Sequence, residues 1–277
     1  MTIVQELHVY PVKSCRGIAR RSVRLLPTGF EWDRQWMVVD ATDNFITQRT
    51  HPKLATIEPA LSSDALVLSA GGFDTLRVPL EQEGSAVTVR VWNDVCTAQE
   101  QGDEPNEWLS SVIGDAVRLV RVSARMERNA NARFAGSDPA PISFVDAYPI
   151  LVCNRASLDD LNTRMPTPVP MARFRPNLVL EGLGPYAEDR IAALRIGDVT
   201  LRLVKPSTRC VMTATDQQTG ERSSNPLPVL RRYRFSRELM GVTFGENAVI
   251  AAGVGRTISV GARCAARMDD AASASQS

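Results

Sequence analysis

Short runs of aliphatic and β-branched residues, each bounded by turn residues, recur along this chain and limit the folds that it can adopt. In the first half, Gly, Pro, Asp and Asn separate such runs, and we predict strands at residues 3–10, 22–26, 35–40, 65–69, 75–78 and 87–92. This spacing is typical of a small barrel or a sandwich. One short helix is predicted at residues 107–113, because Pro105 lies near its start and Gly114 just past its end.

The second half of the chain is also rich in short apolar runs and contains few predicted helices. We predict strands there at residues 150–153, 177–181, 199–204, 211–215, 240–244 and 257–260. A helix is predicted at residues 157–165, with Ser157 as its N-cap and with Leu158, Leu161 and Met165 on one face. The chain is therefore predicted to be a β-rich α+β protein.

Domain boundaries follow from one stretch without an apolar period. Residues 123–141 are rich in Arg, Asn, Ala, Gly and Pro, so we predict a connector or a long loop there. It separates a first domain at residues 1–122 from a second domain at residues 142–267. The last residues, 268–277, contain little that a core could bury, and we predict that they are disordered.

Composition excludes several classes of protein. The 277 residues, of which 44% are hydrophobic, can bury a large core, and a formal charge of +1 gives no sign of a nucleic-acid-binding surface. No apolar run reaches the roughly 18 residues of a membrane span and no signal-peptide pattern is visible, so we expect a cytoplasmic location. Five scattered cysteines argue against a disulfide framework and against paired metal clamps. Two histidines, His8 and His51, are too few for a histidine-rich zinc or iron site.

Cys210 is the strongest candidate for a chemical centre. It follows a strand-like run, and Ser207, Thr208 and Arg209 directly precede it. A nearby cation favours a thiolate, and at the end of a strand a metal or an electrophile could reach that thiolate. The alternative is that Cys210 is a buried thiol that packs as a small hydrophobe.

Basic and hydroxyl residues also recur where other predicted strands end. In the loop at residues 10–17, Lys13 and Arg16 supply charge, Ser14 supplies a directed donor and Gly17 supplies a flexible backbone. Such a loop could hold a phosphate, although it has no Walker pattern. The alternative is a solvated turn, because Lys and Arg side chains mostly stay exposed.

Two more segments carry arginines beside apolar residues. Arg34 adjoins a predicted strand, and either an anion or Asp33 could draw it inward. Farther along, Arg173, Arg175 and Asn177 alternate, so an extended segment would present all three on one face as a row of anion and amide donors. The alternative is a solvated strand face.

Taken in order, these segments resemble the MOSC-domain molybdoenzymes, in particular the YcbX-type bacterial proteins and the mitochondrial amidoxime-reducing component. The residues that carry the resemblance are Tyr10-Pro11-Val12-Lys13-Ser14-Cys15-Arg16-Gly17, Asp33-Arg34, Arg173-Phe174-Arg175-Pro176-Asn177, Tyr186-Ala187-Glu188-Asp189, Ile196-Gly197-Asp198-Val199 and Arg209-Cys210. Each motif is weak alone, but the ordered set, from about residue 3 to about residue 260, is specific. The resemblance implies a MOSC-associated β-barrel domain followed by a MOSC domain.

The resemblance also implies a molybdenum–molybdopterin cofactor. Cys210 matches the thiolate that ligates molybdenum, and a soft, anionic sulfur suits this metal. Asp146 matches an acid that accepts hydrogen bonds from the pterin, and Asp216 matches an acid near the metal, as a proton relay or as support. Arg209 is expected to orient the loop. The residues that match positions holding or approaching the molybdopterin are Lys13, Ser14, Arg34, Arg175, Asn177, Ser207 and Thr208.

The activity implied by the resemblance is the reduction of a small N-hydroxylated compound, from N–OH to N–H, by two electrons and two protons. YcbX-type proteins commonly continue into a ferredoxin domain with four cysteine ligands, whereas the mitochondrial relatives take electrons from a separate haem protein. Cys264 is the only cysteine after Cys210. We therefore expect no iron–sulfur cluster within this chain and a separate electron-donor protein of the ferredoxin, flavin or haem type.

Two other functions stay open. Other members of the superfamily are thought to carry or transfer sulfur or the cofactor without redox turnover, and pyridoxal phosphate binding is implied at the superfamily level only. A cofactor-free thiol enzyme with Cys210 as nucleophile would need a histidine partner, and His8 and His51 both lie far upstream in the sequence. Metal analysis separates this thiol enzyme from the other two functions, and a reduction assay separates an enzyme from a carrier.

Overall fold

The computed structural model describes residues 1–269. Residues 270–277, most of the predicted disordered tail, lie outside the described residues. The strands of the first half are β1 (Ile3–Val9), β2 (Ile18–Arg20), β3 (Ser22–Leu26), β4 (Gly29–Phe30), β5 (Trp36–Asp40), β6 (Glu58–Leu61), β7 (Ala65–Ser69), β8 (Leu76–Pro79), β9 (Ala86–Val91), β10 (Asp94–Glu100) and β11 (Val117–Val122). Those of the second half are β12 (Ile150–Asn154), β13 (Leu178–Glu181), β14 (Ile191–Ile196), β15 (Val199–Thr208), β16 (Phe235–Ser236), β17 (Gly241–Ala252), β18 (Thr257–Ser259) and β19 (Cys264–Met268).

Helices are short and cover little of the chain. They are α1 (Asp103–Ile113), α2 (Ala132–Ala135), α3 (Arg155–Arg164) and α4 (Leu227–Arg231), with 3-10 turns at Pro52–Thr56, Met171–Arg173, Ala187–Arg190 and Val211–Ala214. Strands make up 41% of the structure and helices 17%, so the prediction of a β-rich α+β protein is confirmed. Within residues 1–269, no helix is both long enough and apolar enough to cross a membrane.

The largest sheet contains nine strands in the order β19-β14-β15-β17-β12-β13-β1-β2, with β16 paired to β17. Strands β12 and β13 run parallel, whereas β1 is antiparallel to β13. In β13, Leu178, Val179 and Leu180 are all fully buried. Both faces of this strand are therefore covered, which explains its continuous apolar sequence.

The N-terminal strands pack with the second half of the chain. Leu7, Leu25 and Phe30 share one buried core with Leu178 and Leu201. Because β1 and β13 are antiparallel, the loop that follows β1 lies beside the segment that precedes β13. This juxtaposition brings two of the predicted basic segments together.

Residues between β5 and β11 enclose a second core. Two smaller sheets, β5-β11-β10-β9 and β6-β7-β8, surround it together with α1. Trp36 is fully buried there, and its indole N–H donates to Gln101 Oε1 at 3.1 Å, so the buried nitrogen is satisfied. Val12 and Cys15 reach into the same core from the loop after β1. They anchor that loop between the two cores.

Three local predictions are wrong. Residues 211–215 form a 3-10 turn at Val211–Ala214 instead of a strand. Ser157 is not the N-cap of α3, because Asn154 holds that position and the Ser157 hydroxyl donates instead to the buried carboxylate of Glu188 at 2.8 Å. The predicted disordered tail begins too early, because Met268 still pairs with Ile191.

Buried carboxyl groups lie between the turn at Ala187–Arg190 and strand β17. Glu188 is 0% and Glu246 3% exposed, while Arg234 forms an ion pair with Asp189 at 2.5 Å. Burial, helped by the charges of Asp189 and Glu188, raises the pKa of Glu246 to about 9. Burial likewise raises the pKa of Glu188 to about 7. Both groups therefore hold protons in the folded state over a range in which the unfolded chain releases them.

We expect the folded state to become less stable as the pH rises from the ordinary glutamate pKa of 4.5 towards about 9. Glu246→Gln should stay neutral and should be more stable than the parent at about pH 9, by roughly 1–3 kcal/mol, because no buried charge then forms. At about pH 5 the two proteins should differ much less. Urea unfolding at both pH values measures this, with the exposed Glu181→Gln as control. A parent-minus-variant difference that is independent of pH would contradict the assignment.

Candidate functional site

A cavity of about 430 Å³ opens where the loop after β1, the segment before β13 and the end of β15 meet. The predicted site residues that line it are Lys13, Ser14, Arg34, Asp146, Arg175, Asn177, Ser207, Thr208 and Cys210. Asp216 is absent from this lining. The fold thus brings together residues that are nearly 200 positions apart in sequence, from Lys13 to Cys210.

Cys210 lies two residues beyond the end of β15, at the start of a 3-10 turn. Its carbonyl accepts hydrogen bonds from the Thr213 N–H at 3.1 Å and from the Thr213 hydroxyl at 3.0 Å. The residue is partly exposed, whereas Cys15, Cys96 and Cys153 are buried. Among the cysteines of residues 1–269, Cys210 is the one that faces the cavity.

Lys13 and Asp146 form a salt bridge in the wall of the cavity. Lys13 is 4% exposed, and its Nζ donates to the Phe144 carbonyl at 2.8 Å and to the Asp146 carboxylate. Burial lowers the pKa of Lys13, although the carboxylate opposes this shift. Desolvation works against ionisation of Asp146, but the charges of Lys13 and Arg49 outweigh it and lower its pKa. The Asp146 side chain is 52% exposed, so its carboxylate can accept further hydrogen bonds.

Two guanidinium groups stack on the buried ring of Tyr10. The ring centroid lies 4.1 Å from Cζ of Arg34 and 4.3 Å from Cζ of Arg175. Asp33 balances Arg34 through a contact of 2.6 Å, which identifies the partner that draws Arg34 inward. Burial lowers the pKa of Arg175 to about 10, so it remains charged near neutral pH. This pair of adjacent cations is suited to an anionic ligand.

A reciprocal amide pair lies behind these arginines. Gln48 Nε2 donates to Gln217 Oε1 and Gln217 Nε2 donates to Gln48 Oε1, both at 3.0 Å. Gln48 also donates to the Ser14 carbonyl at 2.6 Å, and Arg175 donates to Gln217 Oε1 at 3.2 Å and to the Cys15 carbonyl at 2.7 Å. Four segments from distant parts of the chain are connected in this way, around Ser14 and Cys15, Gln48, Arg175 and Gln217.

The segment before β13 does not have the predicted extended form. Met171–Arg173 is a 3-10 turn, and Arg175 has a left-handed backbone with φ 56°. Strict alternation is therefore wrong, yet Arg173, Arg175 and Asn177 all line the cavity. The turn, rather than a pleat, gathers them on one side.

Asp216 supports the site from outside the cavity lining. It accepts hydrogen bonds from Arg173 Nη2 at 3.0 Å and from the backbone N–H groups of Gln218 and Thr219 at 2.8 and 3.1 Å. These backbone hydrogen bonds, from Gln218 first, lower the pKa of Asp216 against a partial burial effect. In this position it holds Arg173 and closes the turn, and its proposed role as a proton relay stays a prediction.

Arg209 orients the loop that carries Cys210. Its Nη2 donates to the Phe174 carbonyl at 2.6 Å, and its Nη1 donates to the Ser207 hydroxyl at 2.9 Å. Arg16, which the sequence placed in the anion loop, points elsewhere and donates to the Gln217 carbonyl at 2.8 Å.

Several cavity residues were not predicted as site residues. They are Arg49, Trp92, Tyr148, Arg173, Lys205, Arg209, Met212, Thr213 and Asn247. The sequence did single out Arg173, as part of the row of donors, and Arg209, as the residue that orients the loop, but neither was predicted to bind the cofactor. Trp92 was predicted as the last residue of a strand at residues 87–92, whereas β9 ends at Val91 and Trp92 lies in the turn that follows. Arg49 and Lys205 carry no local signal.

The charge of the cavity fits an anionic cofactor. Among the described residues, its lining contains seven Lys and Arg side chains and one carboxylate, Asp146. The buried Nε atoms of Arg173 and Arg209 have no hydrogen-bond partner within residues 1–269. No group of three His, Cys, Asp or Glu side chains in this range is arranged to hold a metal. The phosphate and the polar ring groups of an anionic cofactor would suit the arginines of this cavity.

Comparison with known proteins agrees with this geometry. Residues 1–116 match the MOSC N-terminal beta barrel domain and residues 139–265 match the MOSC domain. Mitochondrial amidoxime-reducing component 1 of Mus musculus is 34% identical over 243 residues, which cover 83% of this chain and 71% of the mouse protein. The chain belongs to the MOSC-domain family. The Homo sapiens protein of the same name is 33% identical to this MOSC protein, with 89% and 78% of the two chains covered.

A third relative of this MOSC protein has a different name. Molybdenum cofactor sulfurase of Drosophila grimshawi is 32% identical over 246 residues, which cover 86% of this chain but 31% of the fly protein. The matches to the two domains confirm the sequence-based prediction of a MOSC N-terminal barrel followed by a MOSC domain. The names of these relatives associate the family with the molybdenum cofactor.

Proposed function

We propose that this protein is a molybdenum-cofactor-dependent reductase of small N-hydroxylated compounds. The observation that carries the proposal is the convergence of one accessible thiol, Cys210, and a group of buried cations in a single cavity. The amidoxime-reducing relatives match more than two thirds of their own length, which supports the same reaction here. The overall conversion takes up two electrons and two protons and releases water, as N–OH becomes N–H.

Each wall of the cavity has a proposed task in binding the cofactor. Arg34, Arg175 and Lys13 would bind its phosphate, because charge-assisted hydrogen bonds to guanidinium and ammonium groups are strong. Asp146 and Asn177 would bind the polar edge of the pterin. Ser14, Ser207 and Thr208 add hydroxyl and backbone donors around it.

Cys210 would supply the protein's thiolate ligand to molybdenum. When bound, the cofactor supplies the two-electron, oxygen-accepting chemistry, which no side chain of this cavity can perform. Arg209 keeps the cysteine loop in place through the Phe174 carbonyl. Electrons would come from a separate redox protein of the ferredoxin, flavin or haem type.

A second candidate function is a non-redox carrier of sulfur or of the cofactor. The similarity to molybdenum cofactor sulfurase favours it, because that protein matches 86% of this chain. Both functions need the same anion-binding cavity. They differ in whether the bound cofactor turns over an N-hydroxylated substrate.

We expect protein produced in a host that synthesises molybdopterin to contain about one molybdenum per chain, because one cavity holds one cofactor. With a chemically reduced viologen dye, this protein should reduce benzamidoxime to benzamidine. Metal analysis and product chromatography measure the two results. Bound cofactor without turnover would favour the carrier. Protein without molybdenum, although its host synthesises molybdopterin, would refute both candidates.

A further inference from the structure

Trp92 is a large, partly exposed aromatic residue on the rim of the cavity. It forms a two-residue turn with Asn93 between β9 and β10, since Val91 pairs with Asp94. Its side chain lines the cavity, and the residue is 47% exposed. A bulky apolar side chain in a solvent-facing hairpin turn has no evident role in packing a core.

The backbone of Trp92 is strained. Its φ is 58°, in the left-handed region that two-residue hairpin turns require and that Asn or Gly occupies at lower cost. Strained residues of this kind concentrate at functional sites, because only a specific requirement retains them. Here the strain places an indole ring beside the cavity instead of a small turn residue.

Three neighbours fix the orientation of the indole. Phe45 packs against it at a centroid distance of 5.0 Å, and Cζ of Arg49 lies 4.7 Å from its ring centroid. The indole N–H donates to Asp146 Oδ1 at 3.2 Å. Three contacts therefore orient the indole although the residue is 47% exposed, and such an oriented, accessible ring is suited to a preformed binding wall.

We propose that Trp92, together with Arg49, forms a subsite that binds the planar, apolar part of the substrate at the cavity rim. This inference rests on the proposed reductase function and defines its substrate class. Amidoximes that carry an aromatic ring can pack against the exposed part of the indole beside Arg49, whereas small aliphatic ones have no ring to pack there. Four of the proposed cofactor-binding residues are at most 8% exposed, namely Lys13, Ser14, Arg175 and Asn177, so the exposed rim is open to the substrate.

A competing role is that Trp92 only positions Asp146 through its N–H. Two substitutions separate the roles. Trp92→Phe keeps an aromatic wall but has no N–H, and Trp92→Ala removes both. The matched control is Phe73→Ala, another exposed aromatic residue, 42% exposed, in a turn that does not line the cavity.

The experiment measures dye-driven reduction of benzamidoxime and acetamidoxime by the four proteins, and calorimetric binding of benzamidoxime to each. Trp92→Ala should raise both the KM and the Kd for benzamidoxime by roughly 2- to 12-fold, the range expected for one aromatic pair. The KM for acetamidoxime should not change. Trp92→Phe should lose less benzamidoxime affinity than Trp92→Ala, because it keeps an aromatic wall, and Phe73→Ala should behave like the parent.

The outcomes distinguish the subsite from the proposed reaction. Equal losses in Trp92→Phe and Trp92→Ala, or equal losses for both substrates, would overturn the subsite and favour the positioning of Asp146. If the parent reduces neither amidoxime, the reductase function fails, and calorimetry still decides the subsite. In that case a higher Kd for benzamidoxime in Trp92→Ala than in the parent supports the subsite. Equal Kd values, or no detectable binding to either protein, overturn it.

Discussion

Cys210→Ser should lose amidoxime reduction while it retains the pterin. Serine keeps the size of the side chain, and its carbonyl can still accept the hydrogen bonds from Thr213 that shape the loop. A hydroxyl stays protonated near neutral pH and is a poor ligand for a soft metal site. Loss of an outer partner of a metal ligand costs roughly 10- to 100-fold, and loss of the ligand itself should cost more. Dye-driven benzamidoxime reduction and pterin content per chain are the two measurements.

Cys264→Ser is the matched control, because Cys264 is also partly exposed but lies on β19, away from the cavity. Burial raises the pKa of Cys264 to about 11 and that of Cys15 to about 12, so neither is a thiolate near neutral pH. Cys15 lies in the loop after β1, but its side chain packs in the core. Alanine is the better substitution there, because a serine would bury a hydroxyl in apolar surroundings. A Cys210→Ser protein as active as the parent would refute the thiolate mechanism.

The local sequence pattern alone predicts many of the strands. Strands β3 and β7 begin and end at the predicted residues, because each alternates or concentrates apolar residues between clear turns. Strand β10 is not predicted, since polar residues interrupt Asp94–Glu100. Its register with β9 holds it in place, from Asp94 opposite Val91 to Gln99 opposite Ala86. Pairing of this kind is tertiary information that a local window does not contain.

The site shows the same division between local and tertiary information. Ordered motifs identify Lys13, Arg175 and Cys210, because the resemblance supplies their context. Their arrangement depends on the antiparallel pairing of β1 with β13 and on a left-handed Arg175, neither of which alternation predicts. Arg49 and Lys205 reach the cavity only because distant loops converge there.

Removal of the Arg175 charge should release the cofactor. Arg175→Met keeps the length of the side chain but loses the guanidinium that stacks on Tyr10 and faces the cavity. A charge-assisted hydrogen bond is worth roughly 1.5–3 kcal/mol, so cofactor affinity should fall by roughly 10- to 100-fold. Pterin and molybdenum content after extensive dialysis measure the loss.

This substitution also affects stability, since Arg175 donates to the Cys15 carbonyl and to Gln217 Oε1. Leaving these acceptors without their donor should cost about 1–3 kcal/mol of the free energy of unfolding, which urea unfolding of the cofactor-free protein measures. Arg175→Lys should be intermediate in cofactor content, because a lysine keeps the charge but not the planar fork. Arg195→Met, on the exposed face of β14, is the control for loss of an arginine. If Arg175→Met keeps the full cofactor content of the parent while its stability falls, Arg175 is a brace for the loop after β1 and not a ligand of the cofactor.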